Sequence, residues 1–113
     1  MQITHTRSDN ISIVSINGNL LSADDSTKRQ TVVKQQLSNG IKRFILDLKD
    51  VQFLNSLGLG SILSAYTSIK KEGGELVLAN IDLKVMQILT ITQSNKIFTI
   101  CSNLENAKKR LSD

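Results

Sequence analysis

The segment Phe44-Ile45-Leu46-Asp47-Leu48 constrains the fold more than any other part of this chain. Its apolar residues run almost without interruption, where a strand with one wet face would alternate. A run of this kind is expected of a central strand buried on both faces, as in a parallel sheet. The neighbouring elements must therefore supply two covering layers rather than one.

The rest of the chain alternates in the way such a sheet requires. A weak strand signal lies at Gln2 to Thr6, followed by a clear one over Ile11-Ser12-Ile13-Val14-Ser15-Ile16, with Asp9-Asn10 as a hairpin turn between them. Asn17-Gly18-Asn19 stops the second strand. Asp24 and Asp25 suit the start of a helix, whose dipole favours negative charge there, and Val33 and Leu37 lie on one of its faces. Asn39-Gly40 ends it. After the central strand, Val51-Gln52-Phe53-Leu54 leads to a helix from Leu57, with Leu59, Ile62, Leu63, Tyr66 and Ile69 at buried-face spacing and Gly73-Gly74 as its stop. Glu75 to Ala79 reads as a strand. Asp82 to Thr92 reads as a helix with Leu83, Met86 and Leu89 inward. Ile97 to Ile100 reads as a last strand, and Asn103 to Leu111 as a last helix with Leu104, Ala107 and Leu111 on one face. Two strands followed by alternating helices and strands predict an α/β fold. The expected sheet is mixed and mostly parallel, with an antiparallel edge pair and about four flanking α-helices. One domain over residues 1–113 is expected, since 113 residues fit one domain and leave little room for a second.

Composition removes several function classes. The only histidine is His5 and the only cysteine is Cys101, so no intrachain disulfide and no ordinary zinc shell can form. Cys101 reads as a small apolar filler. Asp24/Asp25 and Asp47/Asp50 are spaced for caps and turns rather than for an acid–base pair. No catalytic residue, metal ligand or cofactor site emerges, and Gly58-Leu59-Gly60 lacks the third glycine of a dinucleotide loop. The net charge is +4, but Lys28/Arg29, Lys42/Arg43, Lys70/Lys71 and Lys108/Lys109/Arg110 are separate in sequence and not interleaved with aromatics. Each group is expected to solvate its own element, with no nucleic-acid partner. The start of the chain lacks a signal-peptide pattern and no apolar run reaches ~20 residues, so no membrane insertion and a cytoplasmic location are expected.

One stretch stands out: Phe53-Leu54-Asn55-Ser56-Leu57-Gly58-Leu59-Gly60. A strand-like segment delivers two polar residues immediately ahead of an amphipathic helix. In the plainest reading Asn55 or Ser56 is an N-cap, and the two glycines let the helix pack closely on the sheet. The same geometry exposes Ser56 at the sheet's carboxyl edge. A phosphate there would meet free backbone N–H groups and the positive end of the helix dipole, and would add roughly −1.5 to −2 charge to the surface. A reversible binding switch with no catalysis by this chain is thus compatible with a capping role.

In its setting this stretch resembles the signature of STAS domains, particularly bacterial anti-sigma factor antagonists. Their pattern is Asp-Ser-Ser/Thr-Gly-Leu-Gly, and Asn55-Ser56-Leu57-Gly58-Leu59-Gly60 matches it at four of six positions. Phe44 to Leu48 resembles the family's central strand, Gly73-Gly74-Glu75-Leu76-Val77-Leu78 its next glycine turn and strand, and Gly18-Asn19-Leu20 the turn into its first helix. The resemblance implies partner switching. The unmodified antagonist binds an anti-sigma factor that is also a serine kinase; phosphorylation releases it, and a PP2C-like phosphatase restores it. Carried over to this chain, the phosphoacceptor is Ser56 and the partner-binding loop is Asn55, Ser56, Leu57, Gly58 and Leu59. Asn55 stands where the family has Asp, keeping the hydrogen-bonding shape without the charge. Leu57 stands where it has Ser or Thr. The alternatives are an accessory subunit of a lipid or anion transport system that uses this loop for constitutive docking, and a small-ligand or nucleotide site at the same edge. A monomer and a weak dimer are both compatible with the sequence.

Overall fold

The computed structural model describes residues 2–8, 10–18 and 23–112. Its strands are β1 (Gln2–Ser8), β2 (Ile11–Asn17), β3 (Arg43–Asp50), β4 (Glu75–Ala79) and β5 (Thr99–Cys101). The helices are α1 (Ala23–Ser38), α2 (Ser56–Lys71), α3 (Leu83–Ile91) and α4 (Leu104–Ser112), with a 3₁₀ turn at Ser94–Lys96. The strands form one sheet in the order β1-β2-β3-β4-β5. β1 and β2 pair antiparallel, and every later pairing is parallel.

Parallel neighbours cannot be joined by a hairpin, so each connection from β2 onward crosses over through a helix. The strand order steps in one direction, and right-handed crossovers therefore place α1, α2 and α3 on the same face. The packing follows this logic. Phe44, Leu46 and Leu48 of β3 join one cluster with Val33 of α1, Ile62 and Ile69 of α2, and Val85 and Leu89 of α3. Ile45, pointing the opposite way along the pleat, joins a second cluster with Ile11, Ile13 and Val77 and with Ala107 and Leu111 of α4. β3 is thus buried on both faces, as its composition requires.

Several boundaries depart from the sequence reading. β1 extends to Ser8 because its register with β2 continues through Ser8 opposite Ile11. The last strand begins only at Thr99, since the 3₁₀ turn and Ile97 precede it. Leu83 faces solvent rather than the core, being 73% exposed. Val85 and Leu89 set the inward face of α3, and Leu83 lies two residues, or about 200°, away from Val85. The expected turn at Asn19-Leu20, the residue Asp9, and the side chains of Asp24 and Asp25 lie outside the described residues. Cys101 is partly buried against the α4 cluster and His5 is exposed on the edge strand.

Gly74 shows why the α2–β4 turn needs its glycines. Gly73 has a φ of +79°, a conformation that costs a side chain energy. At Gly74 the constraint is space: an added Cβ would collide with the carbonyl oxygen of Lys42 and lie 2.9 Å from Cγ2 of Ile69. That closeness lets the Gly74 N–H donate to Ile69 O at 2.8 Å and Glu75 N–H to Lys42 O at 2.8 Å, which starts the β3–β4 ladder. Gly74→Ala is expected to destabilise the protein by about 1–3 kcal/mol, read as a lower urea midpoint at unchanged m-value.

Candidate functional site

The segment joining β3 to α2 stays against the core at two points. Val51 turns back, its N–H donating to Leu48 O at 3.0 Å, and both Val51 and Leu54 are buried. Between them Phe53 is carried outward and is 48% exposed. Helix α2 then begins at Ser56. Its N-cap is Asn55, in extended backbone conformation, and Oδ1 of Asn55 accepts a hydrogen bond from the Gly58 N–H at 3.0 Å. The Leu59 N–H donates to the Asn55 carbonyl at 2.9 Å as the first intrahelical bond. Of the two residues the sequence offered as a cap, Asn55 takes the role, and Ser56 is left as the first residue of the helix.

That placement fixes what Ser56 and Leu57 present. The Ser56 side chain is exposed. No carbonyl of the helix can reach the N–H groups of Ser56 and Leu57, so they face outward at the positive end of the dipole. α2 has no acidic residue in its first turn to offset that potential. Leu57 is 54% exposed, so it does not pack into the core. Gly58 is buried and Leu59 packs partly against the main cluster. Of the other serines of α2, Ser61 is buried with its hydroxyl donating to Gly58 O at 2.7 Å, while Ser64 is exposed on the outer face.

The expectation that both glycines serve close packing on the sheet fails at Gly60. A Cβ there would meet nothing within 4 Å. Gly60 lies on the outer surface of α2, where glycine weakens a helix without relieving any contact among the described residues.

The neighbouring loop belongs to the same edge. Asp47, near the end of β3, is buried, and its Oδ1 accepts from the Lys49 N–H and from Nδ2 of Asn80, each at 3.1 Å. Asn80 follows β4 in a left-handed conformation, φ 58°. The carboxylate therefore ties the ends of two parallel strands together, and with them the starts of α2 and α3. Asp82 caps α3 by accepting from the Lys84 N–H at 3.0 Å, which leaves Leu83 as the first helical residue, facing out. Sequence reasoning missed Phe53 and Leu83 as surface residues. The available signal was their position: one sits between two buried anchors, the other directly after a capping aspartate. Among the described residues no group of three or more His, Cys, Asp or Glu side chains is placed to hold a metal ion. No helix among them is long and apolar enough to cross a membrane.

Comparison with known proteins gives this geometry a family. The STAS domain profile matches residues 2–107. The chain belongs to the STAS domain family. It is 34% identical over 85 residues to an anti-sigma F factor antagonist of Paenibacillus polymyxa, an alignment covering 71% of this chain and 73% of that protein. Its fold matches the crystal structure of an anti-sigma factor antagonist from Mycobacterium paratuberculosis with a TM-score of 0.85 at 20% identity, over 99% of this chain and 94% of the other. It also matches the Bacillus antagonist SpoIIAA at 14% identity, in unphosphorylated form (TM-score 0.75, 98% of each chain) and in phosphorylated form (TM-score 0.73, 96% of this chain and 98% of the other). The reading of this STAS protein as a non-enzyme agrees with these relatives, which are named for antagonism rather than for a reaction.

Three substitutions test local stability at this loop. Asn55→Ala removes the bond to Gly58 and is expected to cost about 1 kcal/mol, whereas Asn55→Asp retains the capping oxygen, adds a charge that the helix dipole favours, and is expected to be more stable than wild type by up to about 1 kcal/mol. Gly60→Ala is expected to stabilise by about 0.5–1 kcal/mol, because the site is open and alanine is the better helix former. Chemical denaturation of the three variants checks both.

Proposed function

We propose that residues 1–113 work as a single cytoplasmic STAS-like domain that acts as an anti-sigma factor antagonist. The loop Asn55, Ser56, Leu57, Gly58 and Leu59 binds an anti-sigma factor with serine-kinase activity. Phosphorylation of Ser56 ends that binding, and a PP2C-like phosphatase restores it. The observation that carries this reading is the position of Ser56: an exposed hydroxyl on the first residue of α2, beside a neutral cap, with outward N–H groups around it and exposed Phe53 and Leu57 flanking it. The named antagonists among the relatives support the same reading.

The physics of the switch follows from the helix end. A phosphoryl group on Ser56 meets unbonded N–H groups and the positive dipole, so the fold accepts it without rearrangement. A partner docked over the loop meets instead a new charge of about −1.5 to −2 where it had packed on a small hydroxyl and two apolar side chains. Desolvating that charge against an apolar contact opposes binding. Asn55 adds no negative charge of its own, so the change on phosphorylation is the whole of the local electrostatic difference.

The test is to incubate the protein with its candidate anti-sigma factor kinase and ATP, map modification by mass spectrometry, and measure binding of three variants. Phosphate is expected on Ser56 and not on Ser61. Ser56→Glu should weaken binding at least tenfold while Ser56→Ala binds. Leu57→Ala should weaken binding several-fold with an unchanged melting temperature, because its side chain is largely outside the core. An unmodified Ser56 together with a Ser56→Glu variant that binds as tightly as wild type defeats the proposal. If Leu57→Ala alone weakens binding, and the partner recovered is an ATP-binding transport subunit, the constitutive docking role takes its place.

A further inference from the structure

The fold gathers what the sequence scatters. In a parallel sheet every strand enters at one edge, and every crossover helix ends there. At this amino edge Lys42 and Arg43 precede and begin β3, and Lys70 and Lys71 close α2. Lys109 and Arg110 lie in the last turn of α4, and Lys96 stands ahead of β5. All seven side chains are exposed, half of the fourteen lysines and arginines in the chain. Among the described residues the carboxylates of this edge are Glu72 and Glu75. The other described carboxylates, Asp47, Asp50, Asp82 and Glu105, belong to strand ends and helix starts at the opposite edge. The expectation that each basic group merely solvates its own element is therefore incomplete.

Helix ends explain part of this distribution. Cations favour the carboxyl ends of helices, which accounts for Lys70, Lys71, Lys109 and Arg110. Lys42 donates to the carbonyl of Glu72, Lys70 lies 5.9 Å from the Tyr66 ring centre, and Lys109 approaches Glu105 at 3.8 Å in a largely solvated pair. Yet four helix ends place only about −0.5 each at this edge. The seven cations exceed those partial charges, the two carboxylates and Glu105, the partner of Lys109, combined. Capping also gives no reason for Ile91 and Ile97, which are 81% and 48% exposed at the end of α3 and just before β5, on either side of Lys96.

We infer that this amino edge is a docking surface for an anionic lipid bilayer. An excess of flexible cations matches the negative potential of phospholipid headgroups, and two exposed isoleucines beside them suit shallow burial at the headgroup boundary. A single-stranded nucleic acid would instead call for aromatic stacking platforms, and no aromatic residue is exposed here: Tyr66 and Phe98 pack edge to face at 5.6 Å, with Phe98 buried. With the amino edge on a membrane, the Ser56 loop points away from it, across a central strand of eight residues. Lipid binding and partner binding are then compatible on one molecule. The inference does not depend on phosphorylation of Ser56.

The test is co-sedimentation of the full chain with phosphatidylcholine vesicles containing 0, 20 or 40% phosphatidylglycerol, at 50 and 300 mM KCl. Binding is expected to rise with phosphatidylglycerol and to fall sharply at the higher salt. Lys71→Gln/Lys96→Gln/Arg110→Gln should lower partitioning by about a hundredfold, on a contribution of about fivefold per cation. Ile91→Asn should lower it further, and Lys49→Gln/Lys84→Gln, at the opposite edge, should change it by less than about twofold. Melting curves confirm that each variant is folded. The inference is overturned by absence of binding to 40% phosphatidylglycerol at 50 mM KCl, or by equal loss in the Lys49/Lys84 variant. It is also overturned if Ile91→Asn has no effect and a DNA duplex at equal phosphate concentration strips the protein from the vesicles, which would assign the edge to nucleic acid.

Discussion

The pairing of β3 with β2 on one side and β4 on the other is the constraint on which everything else rests. Because both pairings are parallel, the chain must return across the sheet after each strand, and helices are the economical way to satisfy the backbone during that return. All crossovers then start at one edge and finish at the other. The consequence is an electrical polarity built into the fold. One edge collects helix starts, with outward N–H groups; the other collects helix ends, with outward carbonyls. The two surfaces of functional interest are the two ends of that polarity, and neither requires a cavity.

The same pairing decides how tightly the Ser56 loop is held. Asp47 and Asn80 join the ends of β3 and β4 beside the point where α2 begins, while Val51 and Leu54 anchor the connecting segment. Ser56 therefore sits on a fixed helix end rather than on a wandering loop. A hydroxyl so placed can be approached by another protein while the local backbone keeps its geometry, which is what a reversible signal on a small domain needs.

Most of the architecture was legible in the sequence because it follows from local patterns. The apolar run at Phe44 to Leu48, the glycine stops and the strand-helix alternation each carry their structure in a window of a few residues. The antiparallel edge pair and the position of α2 were legible for the same reason. What escaped was of two kinds. The phase of α3 was misread at Leu83 because a nine-residue helix rich in apolar residues offers more than one inward face, and tertiary contacts through Val85 and Leu89 select between them. The convergence of Lys42, Lys71, Lys96 and Arg110 was invisible because it belongs to the topology: those residues are far apart in sequence and meet only once the strand order is known. Gly60 was misread for a related reason, since a glycine that relieves a contact and one that does not look identical in sequence.

The departures from the family signature take on a physical meaning at the helix end. An acidic N-cap would bond the same N–H as Asn55 while neutralising part of the dipole, a contribution of about 0.3–1 kcal/mol. The neutral Asn55 supplies the bond and leaves the potential in place, available to an anion arriving at Ser56. Leu57, in turn, removes a hydroxyl next to Ser56 and substitutes an apolar side chain that the domain does not bury. With Phe53 also exposed ahead of the cap, the segment that carries Ser56 presents two apolar side chains to solvent. In such a setting an added charge is penalised by desolvation as well as by repulsion, so the contrast between modified and unmodified surface grows even though the loop itself has become less polar.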